Sequence, residues 1–596
     1  MSDFKTVLVR DSVIGDITAD MDFAVKSGAS QTTYQRFPST SSSNSSVIFN
    51  IQVPSENVVI GRDILLSTGI SLTISAGSST GLGTTVVPIG DSVFSYGLTD
   101  SLQAFPFNSL LTTATAQINN TTCSVNLKDV LPSLLRMNDS RELYRFNSTT
   151  PSLPDQAYGK FSDGVLTNNN PLASYNTASY DIDQVPRGAF PVKVYLEHYI
   201  GGVYTDASPI STAADDTWKI FVQTQVAEPL FLSPFIFGNP EFNCQGLLGI
   251  NNMTFTLNVD ATCKRVFSTA GPYITDIVLG IISPNPSTVG LIANANGFQS
   301  TAAIGIATQQ SAPALLLKFL STQPSDLVQT KNIVPYMDFP RYLTSSANSA
   351  SILTLKSASL TSSNLQINQI PDLFIINARI PMSEQDWFNP SSFLTINSIS
   401  INLNNQSGLL SSASQYDLWR LSIKNGSTQS WEEFSGQALV NDNATGAGLL
   451  IPTTGSLLVL NPAYDLSLPD YISCGSLGNY NFQFSCNVTN QYGFTIQPEI
   501  IVICVNSGIF TTQQGVSAVY TGILTKEMVL DAKTTQQASA FKSMEVKRMT
   551  GGQMLNMPLT AMKAFRRVKG MMPHMGGASS GGAPSGGAKG RLSKMC

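Results

Sequence analysis

Charge is what this chain of 596 residues has least of: Asp, Glu, Lys and Arg make up 12% of it, about half of the ~25% usual in soluble proteins. Histidine is scarcer still, with only His198 and His574. A Ser-His-Asp or Cys-His site would have to rest on one of them. His198 stands in the strand-like run Tyr195-Leu196-Glu197-His198-Tyr199 with no GxSxG motif beside it, and His574 lies close to the C-terminus, which argues against hydrolase chemistry. The seven cysteines (Cys123, Cys244, Cys263, Cys474, Cys486, Cys504 and Cys596) are scattered and form no CxxC pair, so neither a disulfide framework nor a zinc site is indicated. No apolar run approaches the ~18 residues of a membrane-spanning helix. The opening residues MSDFKTVLVRDSVIGD contain no apolar signal-peptide core. Folding in a reducing cytoplasm is therefore expected.

Other chemistry is equally thin. The glycines at 576–590 follow no strand and end in no Lys-Ser/Thr, unlike a phosphate-binding loop. The acid pairs Asp215-Asp216 and Glu432-Glu433 are adjacent in sequence, which does not create the spatial separation a glycosidase needs. Glu432-Glu433 follow Trp431 in a short helix-like SWEEF segment and are expected to be solvated. Trp218, Trp387, Trp419 and Trp431 are dispersed and show no stacking platform flanked by basic residues, so each reads as a core or interface anchor. No catalytic, cofactor-binding or metal-ligating residues are identified, and the chain does not read as an enzyme.

What is abundant is uncharged polarity (Ser, Thr, Asn, Gln) together with 30 Phe and 18 Tyr. The aromatics require ordered cores, and a neutral polar surface suits a protein whose faces end up against other protein. Short runs rich in β-branched and aromatic residues recur between Gly, Pro, Asn and Ser clusters. In the first half they are Val47–Val53, Ile64–Ile74, Phe190–His198, Lys219–Val226, Met253–Val259 and Ile274–Ile282. In the second they are Ile352–Leu355, Leu373–Ala378, Leu394–Leu403, Ser456–Leu460, Asn481–Val488 and Ile500–Val505. This spacing predicts antiparallel sandwiches or barrels. Helical patterning is confined to Leu127–Met137, Gln415–Ile423 and a segment after Thr525. The stretch 283–313 has few core anchors and reads as a long loop or insertion. The resulting division is 1–328, 329–533 and a tail, 534–596.

Several stretches carry a resemblance. In the second half they are Pro335-Tyr336-Met337-Asp338-Phe339-Pro340-Arg341-Tyr342, Gln369-Ile370-Pro371-Asp372-Leu373-Phe374-Ile375-Ile376 and Leu403-Asn404-Asn405-Gln406-Ser407-Gly408-Leu409-Leu410, then Tyr416-Asp417-Leu418-Trp419 and Lys424-Asn425-Gly426. In the first half, Phe37-Pro38-Ser39-Thr40, Ala104-Phe105-Pro106, Asn168-Asn169-Asn170-Pro171-Leu172, Pro186-Arg187-Gly188 and Phe231-Leu232-Ser233-Pro234-Phe235 follow in order. Over residues 30–533 this order resembles the double jelly-roll major capsid proteins of the virophage and polinton-like virus branch. The resemblance implies an all-β protein of two tandem eight-stranded antiparallel jelly rolls with a few short helices and a disordered basic tail. It also implies a homotrimer forming a pseudo-hexagonal capsomer of an icosahedral virion, in contact with neighbouring capsomers and with penton and minor or cement proteins. The alternative is a glycan-binding viral fibre or adhesin module.

The tail differs in kind from the body. Residues 541–596 hold ten Lys and Arg against the single acid Glu545, a balance of +9; since the whole chain carries −5, residues 1–540 carry −14. At the junction, Met549-Thr550-Gly551-Gly552 before Gln553 matches the (Met/Ile/Leu)-x-Gly-Gly pattern read by adenovirus-type cysteine proteases. Two glycines let an extended backbone enter a channel that a Cβ would block. Beyond it, Leu559, Met562, Phe565, Val568 and Met572 recur at near-helical spacing among Lys563, Arg566, Arg567 and Lys569, followed by Lys589, Arg591 and Lys594. Such a tail can neutralise genome phosphate, lie on a membrane surface or serve only as a solvated extension. It reads as an assembly-stage segment.

Overall fold

The computed structural model describes residues 5–8, 23–27, 31–55, 58–77, 100–138, 143, 192–200, 203–205, 216–235, 246–269, 274–280, 290–294, 297–302, 312–321, 331–345, 349–385, 387, 393–441, 448–466, 468, 474–513 and 515–522. Sixteen strands form the framework. The first eight are β1 (Gln31–Pro38), β2 (Ser46–Gln52), β3 (Leu65–Gly77), β4 (Leu111–Ile118), β5 (Thr121–Val125), β6 (Asp216–Pro229), β7 (Asn252–Val259) and β8 (Ala314–Ser321). The second eight are β9 (Lys331–Asp338), β10 (Ser357–Thr361), β11 (Leu373–Arg379), β12 (Thr395–Leu403), β13 (Gln406–Leu409), β14 (Leu458–Leu460), β15 (Leu477–Thr489) and β16 (Glu499–Gln513).

The pairing is antiparallel throughout and repeats with a period of eight strands. The first half pairs as β1-β8-β3-β6 and β2-β7-β4-β5. The second pairs as β9-β16-β11-β14 and β10-β15-β12-β13. Each half is thus a jelly roll, two facing sheets built on four framework strands apiece, and the chain is a double jelly roll. Alternation along each strand builds the sandwiches. In β2, Val47, Phe49 and Ile51 are buried while Asn50 and Gln52 are exposed; Met253, Phe255 and Leu257 of β7 and Ala114, Ala116 and Ile118 of β4 complete that face. The second sandwich encloses Ile399, Ile401, Phe482, Phe484, Cys486 and Val488 on one sheet against Phe374, Ile376, Val502 and Cys504 on the other.

The hairpin between the fourth and fifth strands of each sandwich turns on the same dipeptide. Asn119-Asn120 joins β4 to β5 and Asn404-Asn405 joins β12 to β13, with Asn119 and Asn404 both at φ 51°. Asn tolerates this left-handed conformation, which the tight hairpin turn requires. The helices lie in the connections: α1 (Pro106–Leu110), α2 (Leu127–Leu135), α3 (Gln415–Lys424), α4 (Trp431–Ser435) and α5 (Pro462–Asp465). Of these, α2 follows β5 and α3 follows β13. Ser414 and Asp417 form a reciprocal capping box on α3, as do Ser430 and Glu433 on α4, closing orphan N–H groups at each start.

Two expectations are corrected. The stretch 283–313 is not simply a loop: Gly290–Asn294 and Gly297–Ala302 pair as a hairpin that extends the larger sheet of the first sandwich through Val192–Ile200. Glycine and alanine removed the apolar signal there, while backbone pairing still formed. Ile352–Leu355 is not a strand either; Ile352 makes one isolated bridge to Ile496, and Leu355 sits at φ 55°. The helix expected after Thr525 lies outside the described residues.

Candidate functional site

The feature that organises the molecule is the seam where the first sandwich covers the outer face of the β9-β16-β11-β14 sheet. Strands of an ordinary sandwich bury one face, but β11 is buried at all seven positions and β14 at all three. Phe374, Ile376, Ala378, Leu458, Leu460, Ile500, Val502 and Cys504 point into the second core. The alternate residues Leu373, Ile375, Leu457, Val459, Ile501, Ile503 and Val505 belong to the cluster that contains the first core. Both faces buried explains why these segments read as unbroken apolar runs. At about 1.5–3 kcal/mol per buried aliphatic side chain, the seam contributes on the order of 10 kcal/mol before the cost of ordering it.

Helix α2 supplies the polar centre. It buries eight of its nine residues, from Leu127 to Leu135 with Lys128 excepted. Its Asp129, in the first turn, bonds Arg379 at 2.5 Å and Arg341 at 2.8 Å, while the Arg379 Nε donates to Glu499 at 2.7 Å. Asp129, Arg379 and Glu499 are buried, whereas Arg341 is one-third exposed. Beside them the Arg265 guanidinium donates to the Lys128 carbonyl. At the helix C-terminus the Arg136 carbonyl accepts from both the backbone N–H and the hydroxyl of Thr428, each at 2.8 Å, and the Arg136 guanidinium lies 5.4 Å from the Phe393 ring centre. Trp387 donates from Nε1 to the Cys263 carbonyl at 3.0 Å.

A second contact lies at the other end. The long strand β16 continues past the second sandwich with β9 and the strand Val516–Thr521, and this ribbon reaches the Asn119-Asn120 turn. Ser517 donates from its backbone N–H to Asn120 Oδ1 at 2.7 Å and from its hydroxyl to the Ile118 carbonyl at 2.5 Å; Asn332 Nδ2 donates to the Gly246 carbonyl at 2.6 Å. Two separated contacts resist a hinge motion better than one. The arrangement sets the angle between sandwiches.

Two buried carboxyls sit at strained electrostatic positions. Glu228 of β6 is fully buried and accepts from the backbone N–H groups of Phe107 and Asn108, each at 2.9 Å, and from Asn108 Nδ2 at 2.7 Å. Burial pushes it up to about 7, with the three hydrogen bonds opposing. Glu433 is likewise raised to about 7 by burial, opposed first by Arg136 of the first sandwich. This corrects half of the expectation that Glu432-Glu433 are solvated: Glu432 is exposed, but Glu433 is buried as the α4 cap. The dispersed tryptophans also converge in part, since Trp419 and Trp431 meet Tyr416 with ring centres 5.3–5.7 Å apart.

His198 lies on Val192–Ile200 and Asp216 begins β6. Met549, Thr550, Gly551, Gly552 and Gln553 lie outside the described residues, as do Lys563, Arg566, Arg567, Lys569, Lys589, Arg591 and Lys594. Among the described residues no group of three or more His, Cys, Asp or Glu could hold a metal, and no helix is long and apolar enough to cross a membrane. The seam charges were missed in the sequence. Their one signal is a charged residue at the end of a doubly apolar strand, as at Arg379 and Glu499.

Known proteins share this architecture. Residues 2–320 match the family described as Sputnik virophage major capsid protein 1st domain, and residues 339–508 match major capsid protein V20 C-terminal domain. Capsid protein V20 of Sputnik virophage is 26% identical over 546 residues, covering 90% of this chain and 82% of that protein. The cryo-EM structure of the Sputnik virophage superimposes with a TM-score of 0.65 at 22% identity, covering 92% of this chain and 100% of that one. The crystal structure of mavirus major capsid protein gives 0.61 at 16% identity, covering 89% and 98%. The first-domain family spans more than half of the sequence, and so the chain belongs to the Sputnik virophage major capsid protein family.

Proposed function

We propose that three copies of this chain assemble into a pseudo-hexagonal capsomer of an icosahedral shell, with a structural and not a catalytic role. The observation that supports this most is the repeat itself. Two sandwiches of identical strand order are held by one buried seam, so three chains would present six similar wedges around a ring. On this reading the division is 1–328, 329–533 and the tail 534–596, with capsomers meeting neighbouring capsomers, pentons and minor or cement proteins. The tail is an assembly-stage segment, assembled with the rest in the host cytoplasm, facing inward and removed after Gly552 by a viral cysteine protease. Its seven Lys and Arg beyond that point suit contact with genome DNA or a membrane through charge alone. Light scattering on the purified full chain tests the capsomer: the expected mass is about three times 63.8 kDa, and a monomer persisting at high concentration overturns it.

A further inference from the structure

The two sandwiches share a strand order, yet their equivalent surfaces are not equally covered. Helices α2 and α3 correspond: each follows the fifth strand of its sandwich, packs against the fourth, and comes after a hairpin turned on Asn-Asn. Counted from the N-cap residues Asn126 and Ser414, both carry aspartate at the third helical position, Asp129 and Asp417. Their environments differ completely. Asp129 is buried against two arginines of the next sandwich, whereas Asp417 is exposed. Where α2 buries nearly everything, α3 buries only Leu418 and Ser422, and it leaves Tyr416 52% and Ile423 37% exposed.

The complementary surface is equally open. In the second sandwich the outer face of the β9-β16-β11-β14 sheet meets α2 on β11, where Asp129 pairs with Arg379 and Ser133 accepts from Asn377. In the first, the corresponding face of β1-β8-β3-β6 carries Tyr34, 76% exposed, Leu316, 36% exposed, and the cations Arg36 and Lys318, with Lys318 5.8 Å from the Tyr34 ring centre. Apolar groups flanked by cations are what a helix bearing Asp417, Tyr416 and Ile423 would meet. Among the described residues, one chain therefore holds one completed seam and two exposed half-surfaces like those that make it.

We infer that α3 of one copy docks on the outer β1-β8-β3 face of a second copy, with Asp417 toward Arg36 and Lys318, repeating between chains the seam that α2 makes within a chain. The inference rests on the capsomer reading and names the surfaces that close it. Intra-chain and inter-chain seams then alternate around the ring, and no chain in a closed ring keeps a free half.

The test uses the full chain with a photo-crosslinking phenylalanine analogue in place of Tyr416, alongside Ile423→Arg and Arg36→Glu. Both side chains changed by the two substitutions are solvent-accessible in the single chain, so thermal midpoints of the monomer fraction should not move. Expected are inter-chain crosslinks to β1, β3 or β8 and association weakened at least about tenfold by either variant. If the unmodified chain associates but crosslinks land elsewhere, or both variants associate normally, the docking is overturned while the capsomer stands. If the unmodified chain remains monomeric, the capsomer reading falls and the docking falls with it.

Discussion

Asp129 on α2 and Arg379 at the end of β11 lie 2.5 Å apart across the seam, and the same guanidinium reaches Glu499 at 2.7 Å. One buried cation thus serves two buried carboxylates from opposite sandwiches. Arg379→Ala would leave both without their shared partner, which costs about 3–5 kcal/mol for a buried pair. Arg341, one-third exposed, should matter less, with Arg341→Ala costing about 1 kcal/mol. Urea midpoints of the two variants check the ranking, and an Arg379→Ala chain as stable as its parent would remove the cluster from any role in holding the sandwiches.

Glu228 gives the fold a pH dependence with a definite sign. Its carboxyl, buried behind β6 and α1, is raised to about 7, above its value in the unfolded chain of about 4.3. Between those values the folded state holds the proton that the unfolded state has lost. Its contribution to stability therefore falls as pH rises from about 4.5 to 7 and is level above that range. Glu433, raised likewise, adds to the same trend. In Glu228→Gln, a side chain that cannot ionise, melting temperatures measured from about pH 5 to 8 should decline less steeply than in the parent. An unchanged slope would mean that Glu228 is already ionised when folded.

Much of the architecture was legible, and the gaps have physical reasons. Ile500–Val505 and Leu373–Ile376 announce strands, and their lack of alternation already says that both faces are buried. Helix α2 could be read from the spacing of Leu127, Val130, Leu131 and Leu134. By contrast β4 and β5 passed unnoticed, because Leu111–Val125 alternates Thr, Ser and Gln with Ala and Cys, side chains too small to stand out as a core face. The Asp129–Arg379 pair joins residues 250 apart, a separation that local periodicity cannot reach. Glu433 looked solvated because the Arg136 that approaches it comes from the other sandwich.

Gly455, in the connection before β14, has φ +91°, and a Cβ there would stand 2.0 Å from the Phe393 carbonyl oxygen and 2.8 Å from Gln491 Nε2. Neither obstacle is free to retreat, since Phe393 O also accepts from Gln491 Nε2 and the Tyr492 hydroxyl. Gly455→Ala combines a disfavoured backbone conformation with overpacking and should cost at least about 2–3 kcal/mol. Gly493 is the internal control: nothing lies within 4 Å of its Cβ position, so Gly493→Ala should stay within about 0.5 kcal/mol of the parent. Soluble yield and urea midpoints of the pair decide it, and equal behaviour would show that the connection can rearrange.

The tail is expected to leave at a defined bond. A protease that accepts Met549-Thr550-Gly551-Gly552 needs an extended backbone without side chains beside the scissile peptide, and only glycine gives that at two successive positions. Intact-mass spectrometry of mature particles should therefore find chains ending at Gly552. Gly551→Val should block the cut by closing the channel. The released piece, Gln553–Cys596, carries seven Lys and Arg and no acid, so its loss removes a strong positive charge from each copy. If that charge helps gather nucleic acid during assembly, particles built from Gly551→Val chains should hold their genome at salt that strips cleaved ones, since each further neutralised phosphate releases a counterion and tightens binding below molar salt. Full-length chains in mature parental particles would eliminate the cleavage and leave the seam, and the docking built on it, untouched.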